Sequence, residues 1–222
     1  MVRHLQREIE NLKSRLFRLC AVVEQQVAQA TRALEEGDAE PAKSVIRGDI
    51  EIDHTEVEIE EECLKILALY QPVAVDLRVI VSILKINNDM ERIGDLAVNI
   101  AERAQYLARH PCPLERFDYP DMADKVMKMV RSGLDALSQM SADLAHQVCA
   151  ADNEVDAINR RMYRTVGELI RKGEEDPDSL IHLLSISRHY ERIADHATNI
   201  AEDVIYMISG EIVRHKTEEY AD

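Results

Sequence analysis

Residues 86–102 read INNDMERIGDLAVNIAE and residues 186–202 read ISRHYERIADHATNIAE, and this repeated stretch decides the fold. At a shift of 100 positions the two segments share Glu-Arg-Ile, then Asp, Ala and Asn-Ile-Ala-Glu in one register. A weaker echo at a shift of 103 precedes each copy and matches Asp49 with Asp152 and Asp53 with Asp156. Two ordered echoes indicate an internal duplication, so the two halves of the chain are predicted to share one fold.

Apolar residues recur every three to four positions along most of the chain, which is the period of amphipathic helices. This pattern and its breaks predict six helices: from about Leu5 to Glu36, Ala39 to Tyr70, Pro72 to Leu107, Asp121 to Met140, Ala142 to Lys172, and Pro177 to about His215. The segment His110–Pro120 holds three of the six prolines and is the predicted linker. With 4% aromatic residues and no Trp, the composition does not suit a β-sandwich or barrel. The sequence therefore predicts an all-α protein of two tandem three-helix bundles, residues 1–112 and 113–222.

The charge balance excludes several classes of partner. The chain has 27 Lys and Arg against 42 Asp and Glu, a formal charge of −15, so it lacks the clustered cations that bind nucleic acid or anionic lipid. No stretch approaches the roughly 18 to 20 apolar residues that span a bilayer. Met1–Leu12 is charged and lacks the apolar run of a secretory signal. We therefore expect a soluble cytoplasmic protein with no nucleic-acid partner and no direct membrane insertion.

The cysteines do not form a metal or redox motif. They lie far apart, at Cys20, Cys63, Cys112 and Cys149, with no C-x-x-C pair among them. We therefore expect reduced thiols in the core or on the surface, without a role in zinc binding or dithiol chemistry.

The third helix of each predicted bundle carries an acidic arc opposite an apolar one. In the first half, Glu91, Asp95 and Glu102 fall within a narrow arc, because residues four apart are about one turn apart. The opposite arc holds the residues predicted to face the core: Ile93, Ala97, Ile100, Ala104 and Leu107. The second half repeats the acidic arc with Glu191, Asp195 and Glu202. The acidic stripe is therefore predicted to face outward.

Carboxylates from two adjacent helices are predicted to meet in each half. The second helix of each bundle adds an Asp-x-x-x-Asp pair, and four crowded carboxylates would raise one another's pKa unless a cation neutralised them. Hard oxygen ligands suit Mg²⁺, Mn²⁺, Ca²⁺ or iron. The predicted ligands are Asp49, Asp53, Glu91 and Asp95 in the first site, and Asp152, Asp156, Glu191 and Asp195 in the second. Weaker candidate ligands are Asn99, Asn199, Glu102, Glu202 and His196.

Two other interpretations of the acidic residues stay open at this point. A solvated face is the ordinary alternative on an acidic protein, although like charges at i and i+4 repel and the pairing still recurs in both halves. A helix-bundle di-iron enzyme would need Glu-x-x-His on each of two helices, all pointing inward. Only Glu51-Ile-Asp-His54 matches that motif, so the iron enzyme or iron store is the weaker hypothesis.

The basic residues near the acidic arcs have simpler interpretations. His182, His189 and His196 recur every seven residues and so line one side of the sixth helix, where surface histidines are favoured over metal ligands. Arg92 and Arg192 stand beside the acidic pairs and are predicted to form salt bridges with them. The sequence has no Gly-rich phosphate loop and no nucleophile elbow, so it does not resemble an enzyme.

At these residues the sequence resembles the PhoU family, the phosphate-uptake and phosphate-signalling regulators of bacteria. The resemblance covers nearly the whole chain and rests on Gly37-Asp-Ala-Glu-Pro-Ala, Asp49-Ile-Glu-Ile-Asp53, Gln71-Pro-Val-Ala-Val-Asp-Leu-Arg78, Glu91-Arg-Ile-Gly-Asp95 and Glu191-Arg-Ile-Ala-Asp-His-Ala-Thr-Asn-Ile-Ala-Glu202. Each motif is short, and their order, duplication and spacing carry the specificity. The second half has Asp176-Pro-Asp-Ser-Leu-Ile in place of a second Pro-Val-Ala-x-Asp-Leu-Arg.

The resemblance implies a function as well as a fold. It implies two similar bundles with multinuclear iron or zinc clusters on the repeated acidic motifs, with Mn or Mg as further possibilities. It implies a protein that is not an enzyme and that bridges the ATPase subunit of the high-affinity phosphate transporter and a membrane sensor histidine kinase. Such an adaptor restrains both phosphate uptake and phosphate-starvation signalling. Family resemblance also implies a homodimer.

Overall fold

The computed structural model of the protein describes residues 2–110, 112, 114, 117–173 and 175–213. Within these residues the chain forms six helices: α1 (Val2–Glu36), α2 (Ala39–Tyr70), α3 (Ala74–Leu107), α4 (Tyr119–Gln139), α5 (Ala142–Lys172) and α6 (Pro177–Ser209). They fall into two consecutive groups of three, which confirms the all-α prediction of tandem three-helix bundles. The predicted division after residue 112 adjoins residues 111 and 113, which lie outside the described residues, so that boundary stays a prediction.

The third helix begins two residues later than predicted, at Ala74 rather than at Pro72. Gln71 ends α2 in the left-handed conformation (φ 46°, ψ 55°) and donates its N–H to the Leu67 carbonyl. Val73 is extended (φ −130°, ψ 163°) and so lies outside the helix. Pro72 therefore sits in the tight turn between α2 and α3, where its missing N–H is not needed.

The sixth helix ends at Ser209, short of the predicted end near His215, which lies outside the described residues. Gly210 takes the left-handed conformation (φ 79°) and donates its N–H to the Tyr206 carbonyl, which ends the helix as a C-terminal glycine commonly does. A Cβ at Gly210 would lie 3.5 Å from the guanidinium of Arg78. The end of α6 therefore lies against the start of α3.

The predicted linker is shorter than its prolines suggested. Tyr119 already belongs to α4, with Pro120 in the first turn, where proline is well tolerated. The Tyr119 side chain is buried and donates its hydroxyl to the Leu183 carbonyl at 2.6 Å. Phe117 is buried as well and its ring lies 5.7 Å from that of Tyr119. These two aromatic residues hold the entry of the second bundle against α6.

The core follows the apolar arcs that the repeat predicts. All five residues predicted to face the core on α3 are buried: Ile93, Ala97, Ile100, Ala104 and Leu107. Helix α2 packs on α1 and α3, and α5 packs on α4 and α6, so α2 and α5 are the outer helices. Burying one apolar face of each long helix is what stabilises it, at about 25 cal/mol per Å² of apolar surface.

The two bundles meet along an antiparallel pair of helices, α3 and α6. Three contacts follow one another along this pair: Lys85 Nζ with Asp203 Oδ1 (2.7 Å), Asp89 Oδ1 with His196 Nδ1 (2.7 Å), and the stacked rings of Tyr106 and His182 (centroids 3.9 Å apart). We call this row of contacts the polar seam. On one side of it, α1 also packs against α4, and the hydroxyl of Thr31 on α1 lies 2.8 Å from that of Tyr190 on α6.

The interpretation of the heptad histidines as surface residues is wrong. His182 and His196 contact α3 within the polar seam, and all three histidines are half-buried. Both ring nitrogens of His189 are buried without a hydrogen-bond partner. Burial, and then the nearby charges of Arg103 and Arg192, lower its pKa to about 4, so this ring is neutral. The seven-residue spacing shows that the histidines share one face of α6, whereas the packing of α3 from the first bundle against α6 determines what covers that face.

Three of the cysteines are core residues, as expected. Cys20, Cys63 and Cys149 are buried, and burial raises the pKa of each thiol to about 12. They are therefore held as neutral thiols. Across the described ranges, none of the helices combines the length and the apolar character needed to cross a membrane.

Candidate metal centres

The first acidic face lies where α2 meets α3 and contains the four carboxylates predicted to meet there. Helix α2 presents Asp49 and Asp53, and α3 presents Glu91 and Asp95. Burial, and then repulsion by Asp53 and Asp95, raises the pKa of Asp49 to about 6. Burial and the charges of Asp95 and Asp53 also raise the pKa of Glu91. The four side chains are therefore close enough to repel one another, which costs stability when all are ionised.

A fifth carboxylate, Glu56, belongs to this face and was missed in the sequence. Its pKa is raised by burial and by Glu60 and Asp53, and its own charge acts on Glu91. The Asn87 amide donates to Glu56 Oε1 (3.0 Å) and to its backbone carbonyl (2.9 Å). Glu56 follows Asp53 by three residues, so the helical spacing that identified the other four could have identified it.

One arginine partly compensates the charge on the first face. Arg92 Nη1 lies 3.2 Å from Asp95 Oδ2, and Arg92 Nε lies 3.3 Å from Glu91 Oε2. The predicted salt bridges of Arg92 are therefore confirmed. The side chain of Arg92 is 51% exposed, so these pairs contribute little to stability. Arg92 offsets only part of the charge of these five carboxylates, so the face stays negative.

The second acidic face, between α5 and α6, repeats this arrangement with the four predicted carboxylates. Burial, followed by the charges of Asp195, Asp156 and Glu191, raises the pKa of Asp152 to about 6. The pKa values of Glu191 and Asp195 are raised by burial and by Asp156 as well. Asp53 and Asp195 are exposed and the other six carboxylates are half-buried, so the acids face outward along a helix–helix boundary.

Each face holds at least one buried carboxylate oxygen that makes no hydrogen bond. These atoms are Asp49 Oδ1 and Glu91 Oε2 in the first face and Asp152 Oδ1 in the second. Beside the second face, the Thr198 hydroxyl is also buried without a hydrogen-bond partner. A buried polar oxygen without a partner is costly, which is why such atoms in native proteins usually bind water or an ion.

The weaker candidate ligands divide between the acidic faces and the polar seam. Asn199 donates to Asp89 Oδ1 at 3.3 Å, and His196 contacts the same oxygen, so both side chains are bound within the polar seam. Asn99 instead donates to the backbone carbonyl of Asp95 at 2.8 Å. Metal binding by Asn199 or His196 would have to compete with Asp89.

The equivalent candidate ligands Glu102 and Glu202 lie in different surroundings. The carboxylate of Glu102 is exposed and lies 3.6 Å from Arg103 Nη1. Glu202 is half-buried, and its charge acts on the thiol of Cys149 in α5. Only Glu202 therefore lies at the boundary between the two helices of its acidic face.

The donor set fits a hard or borderline cation. In the part of the chain that the structure describes, no three His, Cys, Asp or Glu side chains already surround one point at ligand distance. The chemistry nevertheless suits a cation, because both faces offer carboxylate oxygens, raised pKa values and an oxygen without a hydrogen bond. A bound cation would hold Asp49 or Asp152 in its ionised form and remove the repulsion within the face.

The di-iron motif does not have the geometry that di-iron chemistry requires. Glu51 and His54 are both exposed on α2, whereas di-iron ligands project into the interior of a bundle. Glu51 lies in a shallow groove between α1 and α2, beside Arg15 and Thr55. The iron-enzyme alternative is therefore not favoured.

Comparison with known proteins gives one consistent family. The model of the PhoU domain matches the chain twice, over residues 16–104 and 119–204. The phosphate-specific transport system accessory protein PhoU homologue of Pseudomonas putida is 43% identical over 213 residues, covering 94% of this chain and 82% of that protein. The homologue of the same name from Aquifex aeolicus is 42% identical over 214 residues, covering 95% of each chain.

Solved structures agree with the sequence relatives. The crystal structure of PhoU from Pseudomonas aeruginosa superposes with a TM-score of 0.87 at 37% identity, over 93% of this chain and 99% of that chain. The phosphate transport system regulatory protein PhoU from Streptococcus pneumoniae superposes with a TM-score of 0.88 at 28% identity, over 94% and 99%.

Proposed function

This chain belongs to the PhoU family, and from that membership we propose that it is an accessory regulator of phosphate transport. The observation that carries the proposal is the double match of the PhoU domain together with relatives named as accessory proteins of the phosphate-specific transport system. We propose that the regulator is not an enzyme, which is supported by relatives named as accessory and regulatory proteins. The proposed location is the cytoplasm.

The proposed action is that of an adaptor. One partner is the ATPase subunit of the high-affinity phosphate transporter, and the other is a membrane sensor histidine kinase. By binding both, the protein restrains phosphate uptake and phosphate-starvation signalling when phosphate is plentiful. Long exposed helices with different surfaces on the two bundles support an adaptor that binds two partners, and a homodimer would present both surfaces twice.

The proposed cofactors are metal ions on the two acidic faces. Multinuclear iron or zinc is proposed, with Mn or Mg as alternatives that suit the same oxygen donors. The ligands would be Asp49, Asp53, Glu91 and Asp95 on the first face, together with Glu56. The second face would use the equivalent four carboxylates. These carboxylates would hold the metal between the outer and the central helix of each bundle, and its charge would offset the repulsion between them.

Binding to purified partners tests the adaptor proposal. The full chain is titrated against the transporter ATPase and the cytoplasmic part of the sensor kinase from the same genome, with and without Mg²⁺ or Zn²⁺. Saturable binding to both supports the adaptor. Absence of binding to either partner, in all metal conditions and with or without phosphate, would contradict it. Stoichiometric oxidation of Fe²⁺ by oxygen would instead revive the iron-enzyme hypothesis.

A further inference from the structure

The outer helix of the first bundle carries a line of exposed apolar side chains. Ile50, Val57 and Leu64 are 63%, 49% and 54% exposed. They follow one another at intervals of seven residues and so lie on one line along α2, about 21 Å long at 1.5 Å per residue. We call these three residues the α2 ridge. The buried residues Ile52, Ile59 and Ile66 lie on the opposite side of the helix, so the ridge points directly away from the core.

The α2 ridge is bordered by carboxylates on both sides. Residues 50–64 contain seven Asp and Glu and no Lys or Arg. Asp53 and Glu60 lie on the border nearer α3, and Glu51 and Glu58 lie on the border nearer α1. A line of apolar side chains between two rows of charged residues is typical of a helix that binds another helix, and the flanking charges select the partner.

The duplication supplies an internal comparison for this surface. Helix α5 repeats the buried pattern of α2 at a shift of 103, for example with Val155 and Met162 in place of Ile52 and Ile59. At the positions that match the ridge it has Asn153, Arg160 and Gly167. The fold of an outer helix therefore does not require exposed apolar residues at these positions. Single exposed apolar side chains are ordinary on protein surfaces, but three in heptad register on one of two duplicated helices are not explained by folding.

We propose that the α2 ridge is a docking surface for an amphipathic helix of a partner protein, with an apolar stripe flanked by Lys and Arg. Charge complementarity selects this occupant over a second copy of the chain. A second copy would bring its own four border carboxylates against the four that already border the ridge, and like charges across an interface are strongly unfavourable. A basic helix pairs with the same borders while its apolar stripe covers the ridge.

A synthetic helix tests this proposal independently of the adaptor role. The probe is a fluorescent 21-residue peptide with Leu at helical three-to-four spacing and Lys on both flanks, and its control is a scrambled peptide of identical composition. Fluorescence anisotropy with the full chain, at about 0.15 M salt, should show at least about tenfold tighter binding of the amphipathic peptide. Failure of this test leaves the adaptor proposal standing, since the ATPase or kinase could use another surface.

Matched variants separate the ridge from the general negative charge. Ile50→Gln, Val57→Gln and Leu64→Gln together should reduce the preference for the amphipathic peptide to less than about twofold, with unchanged helicity because all three side chains are exposed. The control is Asn153→Gln with Arg160→Gln on α5, which should leave the preference intact. Equal binding of the two peptides to the wild-type chain would overturn the proposal. So would a wild-type dimer in sedimentation that the triple variant converts to a monomer, because the ridge would then bind a second copy.

Discussion

The two acidic faces have four equivalent carboxylates but differ in the polar side chains beside them. On the first face Asn87 binds Glu56, whereas at the matching positions of the second face the Ser187 hydroxyl donates to Asn159 Oδ1 at 2.6 Å. The second face therefore has the neutral amide of Asn159 where the first has its fifth carboxylate, and it has Thr198 where the first has Val98. The two halves therefore keep the same four carboxylates but differ in the residues next to them. With Glu56 as an additional carboxylate, the first face is the more negative of the two.

The packing beneath the two faces differs by the position of one methyl group. Gly94 lies under the first face, where a Cβ would be 3.3 Å from Ile52 Cδ1 and 3.7 Å from Asp49 Oδ1. The second face has Ala194 in place of Gly94 and Val155 in place of Ile52, and both are fully buried. The smaller Val makes room for the larger Ala. The apolar volume below the carboxylates is therefore nearly the same in both bundles, as a close-packed core requires.

The largest expected effect is one that the two bundles should share. Ile93 and Ile193 are equivalent and fully buried, so Ile93→Asp and Ile193→Asp should each destabilise the protein by several kcal/mol, because each buries a charge without a partner. Thermal melts followed by circular dichroism would measure this. Ile93→Val and Ile193→Val are the controls and should cost only about 1 kcal/mol each. Nearly wild-type stability of either Asp variant would show that its bundle core is not packed as described.

The next effect separates the two faces by their metal affinity. Asp95→Asn and Asp195→Asn should each remove metal binding from one face, lowering its affinity by about tenfold or more, while helicity stays unchanged. Each substitution removes a charged ligand and also relieves repulsion, so the metal-free protein should not lose stability. Calorimetric titration with Zn²⁺ or Mn²⁺ measures the loss.

Glu168→Gln is the matched control for the two Asn variants. It removes one exposed carboxylate of α5 outside the candidate faces, so metal binding should stay at the wild-type level. If the double variant Asp95→Asn, Asp195→Asn kept the wild-type affinity, the metal assignment would be refuted. If Asp95→Asn unfolded the metal-free protein, the acidic pair would instead have to be interpreted as a structural partner of Arg92.

A smaller effect concerns the response of both faces to pH. The pKa values of Asp49 and Asp152 are raised from 3.8 to about 6 in the folded protein, so between these values the folded state holds protons that the unfolded state has released. Their repulsion is therefore fully present above pH 6 and is relieved as the pH falls toward 4. The metal-free protein should thus gain stability from these groups between pH 7 and pH 5.

Urea unfolding at a series of pH values measures this pH dependence. The variant Asp49→Asn with Asp152→Asn should lose most of the gain in stability, since neither Asn can take up a proton. Saturating metal should also suppress the gain, because the ionised carboxylates are then neutralised by the cation. An unchanged pH profile in the double variant would assign the dependence to other groups.

The smallest expected effect tests the exchanged methyl group. Gly94→Ala gains up to about 1 kcal/mol of helix propensity but crowds Ile52, so its net effect should be small. Adding Ile52→Val recreates the packing of the second bundle. The free energy of unfolding of the double variant should therefore exceed, by about 0.5–1 kcal/mol, the value expected from adding the effects of the two single substitutions. A double-mutant cycle from urea unfolding measures the coupling. Simple additivity would show that the two positions do not share one packing space.

Most of the fold could be predicted from the sequence, because it follows from local rules. Helix propensity and three-to-four spacing act within one or two turns, so the six helices were predicted and most of their ends agree to within a few residues. The exceptions are ends set by special backbone, such as Val73 before α3 and Gly210 after α6. The two sets of four carboxylates could also be predicted from the sequence. Each set consists of an i, i+4 pair on each of two neighbouring helices, and antiparallel packing of those helices is enough to bring the pairs together.

The sequence by itself thus determined the helices, the duplication and the face of each helix that carries the acids. Only the tertiary structure decided what covers the other polar faces, because that depends on residues about 100 positions away. It directs His196 and Asn199 toward Asp89 in the polar seam, and it leaves His189 buried without a hydrogen bond. The same packing leaves the α2 ridge exposed. A helical period shows which residues lie together, but the neighbour that buries them is set by long-range packing, which no local pattern contains.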